Sequence, residues 1–160
     1  MNPLPAKPVL RKILVVDDNP IIQRAVYFAL RDKGYLVLMS GTVTDALHII
    51  RQQRPELILL DLNFPAEAAN FGGASWDGFA AIEWLQRTGD SKDIPIVVIS
   101  GSDPEVSRPR ALAAGAVAYF TKPFEKEKLL AVIVALLRKD AASASPKADS
   151  SPNSGVLTMA

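Results

Sequence analysis

The chain has 160 residues, 49% of them hydrophobic and 22% charged, a balance that supports one hydrophobic core and does not fit a fibrous or disordered chain. Eighteen Lys and Arg against 17 Asp and Glu leave a net charge of +1, so composition gives no support to nucleic-acid or lipid binding. With no Cys and a single His48, disulfides, thiolate chemistry and paired-histidine metal sites within one chain are excluded, and acid-base or metal chemistry rests mainly on carboxylates and lysines. His48, within the helical stretch TDALHIIRQQ, is assigned no role.

In chain order, Pro3, Pro5 and Pro8 block helix and sheet pairing, so residues 1–10 read as a disordered lead-in and the domain as starting near Arg11. Five short apolar runs follow: ILVV at 13–16, LVLM at 36–39, LILL at 57–60, IVVI at 96–99 and VAYF at 117–120. Their apolarity is continuous rather than alternating, which predicts strands buried on both faces between two helical layers. The segments between them read as helices with marked ends. Asn19-Pro20 and Asp103-Pro104 each put a capping side chain ahead of a proline at the first helical position, and Gly34 and Gly115 suit the left-handed residue after a helix. The resulting βαβαβαβαβα pattern predicts a doubly wound α/β fold, a five-stranded parallel sheet flanked by five helices.

From Asp140 to Ala160 the composition shifts to Ala, Ser and Pro, which predicts a flexible tail and leaves 11–139 as the domain. The longest apolar run, Leu129 to Leu137, is about half of the roughly 20 residues that span a bilayer. The N-terminus lacks the apolar core of a secretory signal, and with the missing cysteines this predicts the cytoplasm.

Doubly wound sheets carry their functional groups at the carboxyl ends of the strands. Here the first run ends in Asp17-Asp18, the third in Asp61, the fourth in Ser100 and the fifth in Lys122. With the first and third strands adjacent, three carboxylates converge on one rim, where like charges repel unless a cation or proton intervenes. An all-oxygen donor set fits a hard divalent ion such as Mg²⁺, and Lys122 and Ser100 bring a positive charge and a hydroxyl to surround a phosphoryl group.

Over roughly residues 11–139 these motifs resemble the receiver domain of bacterial two-component response regulators. The resemblance implies the flavodoxin-like strand order 2-1-3-4-5. It implies that Asp61, in LILLDL, is the phosphoacceptor, and that Asp17 and Asp18, in ILVVDD, hold Mg²⁺ together with Asp61 and the backbone carbonyl of Asn63. Ser100, in VVISG, resembles the hydroxyl that contacts the phosphoryl group after activation. Lys122, in FTKPF, resembles the lysine that pairs with that group, with a cis bond at Pro123. Tyr119 matches the aromatic switch residue. The resemblance further implies a signalling domain with only self-catalysed aspartyl phosphorylation and dephosphorylation, not an ordinary enzyme. Its partners are a sensor histidine kinase or histidine phosphotransfer protein and a downstream effector protein.

One feature departs from the family. Pro65 and Asp77-Gly78 are separated by eleven residues, AEAANFGGASW, nine more than the family has there. This insertion at 66–76 reads either as a loop folded over the acidic site, with Trp76 and the nearby Trp84 as reporters, or as a tolerated surface insertion. After residue 139 there is neither helix-turn-helix patterning nor a basic stripe, so the chain reads as a stand-alone receiver that signals by phosphorylation-dependent protein binding, without nucleic acid or membrane. The alternatives are a receiver fragment of a longer regulator and a Mg²⁺-dependent phosphatase with an aspartyl nucleophile. Such phosphatases usually carry a second aspartate two residues after the first, where this chain has Asn63.

The final helix, EKEKLLAVIVALLRK, places Val132, Leu136, Leu129, Ile133, Leu137, Leu130 and Val134 over an arc of about 200°, against the roughly 100° stripe that one-sided packing requires. The surplus around Leu130 and Val134 predicts a homodimer or partner interface through this helix, the competing reading being cover from a neighbouring helix.

Overall fold

Each apolar run divides its side chains between two faces, because successive residues of a strand point to opposite sides of the sheet. The computed structural model describes residues 10–63, 70–71, 74–75 and 77–143, with the backbone alone described at 70–71, 74–75 and 140–143. The elements are β1 (Lys12–Val16), α1 (Pro20–Arg31), β2 (Leu36–Ser40), α2 (Val43–Gln53), β3 (Leu57–Leu60), β4 (Asn70–Phe71), β5 (Ala74–Ser75), α3 (Gly78–Arg87), β6 (Ile96–Ser100), α4 (Pro104–Ala114), β7 (Ala118–Thr121) and α5 (Lys126–Ser143).

β2-β1-β3-β6-β7 form one parallel sheet, the expected 2-1-3-4-5 order once β4 and β5 are set aside. Leu14, Val16, Ile58, Leu60, Ile96 and Val98 face one layer, where they meet Ala46, Leu47 and Ile50 of α2, Ile82 and Leu85 of α3 and Ala111 of α4. Ile13, Val15, Leu57, Leu59, Val97 and Ile99 face the other, against Val26 and Leu30 of α1 and Leu129, Leu130, Ile133 and Leu137 of α5. Burying one such aliphatic side chain contributes about 1.5–3 kcal/mol, so the central strands anchor both layers. The helices start as their caps dictate. The Asn19 side chain accepts from the Ile21 N–H at 2.9 Å and the Asp103 side chain from the Glu105 N–H at 3.0 Å, each with a proline at the helix start. Gly34 and Gly115 take positive φ, +85° and +122°.

Three expectations need correction. The LVLM run is not buried on both faces: Leu36 and Met39 are 37% and 43% exposed, because β2 is an edge strand with a neighbour on one side only. Met39 instead lines an apolar groove with Ile21 and Phe28 of α1. The surplus arc of α5 is not left in water. Leu130 is 7% exposed and shares a cluster with Val26 and Leu30 of α1, Val134 and Leu136 are half-buried, and no large apolar side chain of α5 is exposed among the described residues. Counting one packing partner underestimated the buried arc, since α5 meets both the sheet and α1. The backbone of α5 also runs to Ser143, beyond the expected domain edge at 139. Apart from Leu10 and those last helical residues, the expected lead-in and tail lie outside the described residues. Within the 66–76 insertion, β4 and β5 pair antiparallel, Asn70 opposite Ser75 and Phe71 opposite Ala74. Among the described residues, no helix is long and apolar enough to cross a membrane.

Candidate functional site

The loops after β1 and β3 use the same local device. Asp17 Oδ1 accepts the Asn19 N–H at 2.8 Å, and Asp61 Oδ1 accepts the Asn63 N–H at 3.0 Å. Such turns occupy one carboxylate oxygen with backbone and leave the other for the site. The Asp61 N–H donates to the Val16 carbonyl at 2.9 Å, which ties the two strand ends side by side. Lys122 arrives from the far strand: its N–H donates to the Ser100 carbonyl at 2.8 Å, and the Lys122–Pro123 bond is cis, as the resemblance implied.

The ammonium of Lys122 donates to Asp17 Oδ2 at 2.8 Å and to Asp61 Oδ2 at 3.1 Å. Asp17 and Asp61 are buried and Asp18 is exposed, yet one carboxylate oxygen from each of the three lies within 4.8 Å of the others. Two of the three carboxylates thus share one ammonium, and the third, Asp18, adds its charge to the same cluster. Burial pushes the Asp61 carboxyl above its ordinary value, and the Asp17 charge pushes the same way; the Asn63 N–H and Lys122 oppose both without cancelling them. Burial draws the Lys122 ammonium down, but its hydrogen bonds to Asp17 and Asp61 outweigh this and its pKa ends above the ordinary value. The lysine is well matched and the acids are not, which leaves room for further positive charge. Oxygen donors without nitrogen or sulfur, in excess negative charge, suit a hard divalent cation.

Ser100 is fully buried, and its Oγ accepts the Ser102 N–H at 3.1 Å. The Ser102 hydroxyl in turn donates to Asn63 Oδ1 at 2.8 Å, bridging the loops after β6 and β3. Tyr119 is buried, with its hydroxyl donating to the Ser102 carbonyl at 3.4 Å and the Arg108 guanidinium 5.6 Å from its ring centre. Asp17, Asp18, Asp61, Lys122, Ser100, Asn63 and Tyr119 are therefore brought to one rim of the sheet. His48 is exposed on α2.

Gly78 matters to this rim because α3 starts against Leu62, the residue after Asp61. A Cβ at Gly78 would lie 2.6 Å from Leu62 Cα and 2.8 Å from its carbonyl oxygen, so only glycine permits that approach. The insertion thus returns the chain to a tightly fixed point, where the Asp77 side chain accepts the Ala80 N–H at 2.8 Å and caps α3. Trp76, and with it the expectation of a loop over the acids, lies outside the described residues.

Sequence reasoning missed Ser102 and Gln23. Gln23 Nε2 donates to the carbonyls of both Asp17 and Ser40. Neither residue carries a spacing or periodicity signal; each acts through a partner far along the chain or through backbone.

The sequence profile described as the response regulator receiver domain matches residues 13–134. The chain is 36% identical over 148 residues to the response regulator MprA of Mycobacterium sp. (strain KMS), covering 92% of this chain and 57% of that protein. It is 35% identical over 129 residues to the phosphate regulon transcriptional regulatory protein PhoB of Escherichia coli (strain K12), covering 81% of this chain and 52% of that one. The chain therefore spans about half the length of these relatives. Among solved structures, the receiver domain of a sensor histidine kinase from Pseudomonas aeruginosa, with a magnesium ion coordinated in its active-site cleft, superposes with a TM-score of 0.68. The identity there is 25%, over 80% or more of both chains: 81% of this one and 99% of that one.

Proposed function

The chain belongs to the response regulator receiver domain family, and from that premise we propose that it takes a phosphoryl group onto Asp61 from a histidine kinase or histidine phosphotransfer protein in the cytoplasm. The observation that carries this reading is the Lys122 ammonium lying between the buried carboxylates of Asp17 and Asp61, with Asp18 within the same cluster. In the proposed transfer an Asp61 oxygen forms a bond to phosphorus as the donor's P–N bond breaks, and the leaving imidazole takes up a proton. An ionised carboxylate has no proton to lose, so no general base is required. Mg²⁺ is the proposed cofactor; held by Asp17, Asp18, Asp61 and the Asn63 carbonyl, it supplies charge neutralisation for the phosphoryl oxygens. Lys122 leaves its two carboxylates to meet the new negative oxygens, Ser100 offers its hydroxyl to one of them, and Tyr119 follows the movement of that loop.

The signal is then a change of surface read by an effector protein, without nucleic-acid or membrane contact by the receiver itself. A second reading, in which the same receiver works inside a longer regulator, is favoured by the length of MprA and PhoB relative to this chain. A phosphatase with an aspartyl nucleophile is disfavoured because Asn63 occupies the place of the second acid and its side chain is engaged by Ser102.

Intact-mass measurement after incubation with Mg²⁺ and a small phosphodonor tests the reading. One phosphoryl group is expected on the wild type and none on Asp61→Asn. Undiminished labelling of the variant would overturn the assignment of Asp61.

A further inference from the structure

The parallel ladder between β1 and β2 ends at the pair Val16 and Ser40, and the Asp17 N–H makes its last rung by donating to the Ser40 carbonyl at 3.1 Å. The Asp17 carbonyl, one peptide further on, has no strand opposite it. Gln23, half-buried on α1, reaches back and fills that place: its Nε2 donates to the Asp17 carbonyl at 2.5 Å and to the Ser40 carbonyl at 3.1 Å. One amide group thus pins the ends of two strands at the point where the acidic pair begins.

The Asp17 carbonyl belongs to the peptide that joins Asp17 to Asp18, so the plane of that peptide sets where the Asp18 side chain leaves the backbone. This matters more for Asp18 than for its neighbours. Asp17 and Asp61 are each held by a backbone N–H and by Lys122, whereas the Asp18 carboxylate accepts no hydrogen bond from the described residues. Its place within 4.8 Å of the other two carboxylates depends on the backbone that carries it. We propose that Gln23 is a positioning residue for the divalent-cation site, holding the Asp17–Asp18 peptide so that both carboxylates face Asp61. The proposal rests on the reading of the acidic cluster as a Mg²⁺ site. Gln23 touches no reacting atom and acts only through that peptide.

Two substitutions separate this role from ordinary helix packing. Gln23→Met keeps the length and removes the donor; Gln23→Asn keeps the amide and shortens its reach by one methylene. Calorimetric titration of the full chain with Mg²⁺ is expected to give a dissociation constant raised about tenfold in both, the usual scale for groups that orient metal ligands. At any given Mg²⁺ concentration above the wild-type dissociation constant, the Mg²⁺-induced rise in melting temperature is expected to be smaller in both variants than in the wild type. A merely structural Gln23 would lower the Mg²⁺-free melting temperature and leave the dissociation constant unchanged; that result, in either folded variant, overturns the proposal. If Gln23→Met does not fold, Gln23→Asn decides. A wild type that binds no Mg²⁺ overturns the cation-site reading itself, a different outcome from a wild type that binds and variants that bind equally well.

Discussion

Lys122 Nζ lies nearer to Asp17 Oδ2, at 2.8 Å, than to Asp61 Oδ2, at 3.1 Å. This ammonium is therefore shared by two buried acids, and the closer one is not the proposed phosphoacceptor. In the proposed reaction, a phosphoryl group on Asp61 would give the ammonium a stronger anion to follow.

Lys122→Met removes the only ammonium that pairs with the buried carboxylates of Asp17 and Asp61 among the described residues. In Mg²⁺-free buffer it is expected to cost about 2 kcal/mol, below the range for a fully enclosed pair because the lysine retains some solvent. Urea denaturation checks this. Added Mg²⁺ should recover part of the loss, whereas an unaltered midpoint would show that the acids do not need the lysine.

The stability of the Mg²⁺-free protein should carry the signature of Asp61. Its folded pKa is raised above 3.8, so the folded state holds the proton more strongly than the unfolded chain. The contribution of Asp61 is therefore fully present below pH 3.8 and is lost as pH rises through the folded value. Comparing melting temperatures across that range, wild type should lose ground to Asp61→Asn as pH climbs towards neutrality. A difference that is constant or runs the other way contradicts the raised pKa.

Gly78→Ala should destabilise by about 2 kcal/mol, since the new methyl group meets the backbone of Leu62, which cannot swing aside as a side chain can. Because Leu62 follows Asp61, the same variant should also accept phosphate more slowly from a small donor. Gly41→Ala serves as the control: nothing lies within 4 Å of its added Cβ. Equal stability losses at the two positions would mean that the close approach at Gly78 is not what matters.

Leu130→Glu places a carboxylate within the α1–α5 cluster and should lower stability by about 3 kcal/mol or more. The effect should show in the denaturation midpoint. A variant of wild-type stability with a changed sedimentation coefficient would instead restore α5 as an interface.

What the sequence revealed follows from rules that act locally along the chain. A continuous apolar run, the residue just after it, and a capping residue ahead of proline can each be seen without knowing the fold, and so Asp17, Asp18, Asp61, Ser100 and Lys122 could be placed on one rim from strand alternation alone. The exposure of Leu36 and Met39 could not, because a run of four apolar residues reads the same on a central strand as on an edge. Nor could the cover over Leu130, which depends on α1 and α5 sharing one face of the sheet. Arg54 ends α2 with φ +49°, a conformation that glycine usually marks, and nothing in its neighbourhood announced it. Gln23 and Ser102 were hidden for a related reason: each is one polar side chain whose partners are chosen by loop geometry.

One contact lies at the pole opposite the acidic rim. The Arg11 guanidinium donates to the Leu137 carbonyl at 2.6 Å, which ties the entrance of β1 to the last turns of α5. Arg11 and Asp17 bracket β1, so this seam lies roughly 20 Å of extended chain away from the acidic rim. A segment joined before β1 would leave from that seam, and one joined after α5 from about two helical turns past it, both remote from the acidic rim. Under the proposed function such a segment would sense a phosphoryl group through packing passed along the helices and not by direct contact, with the reacting rim and the points of attachment at opposite ends of the domain.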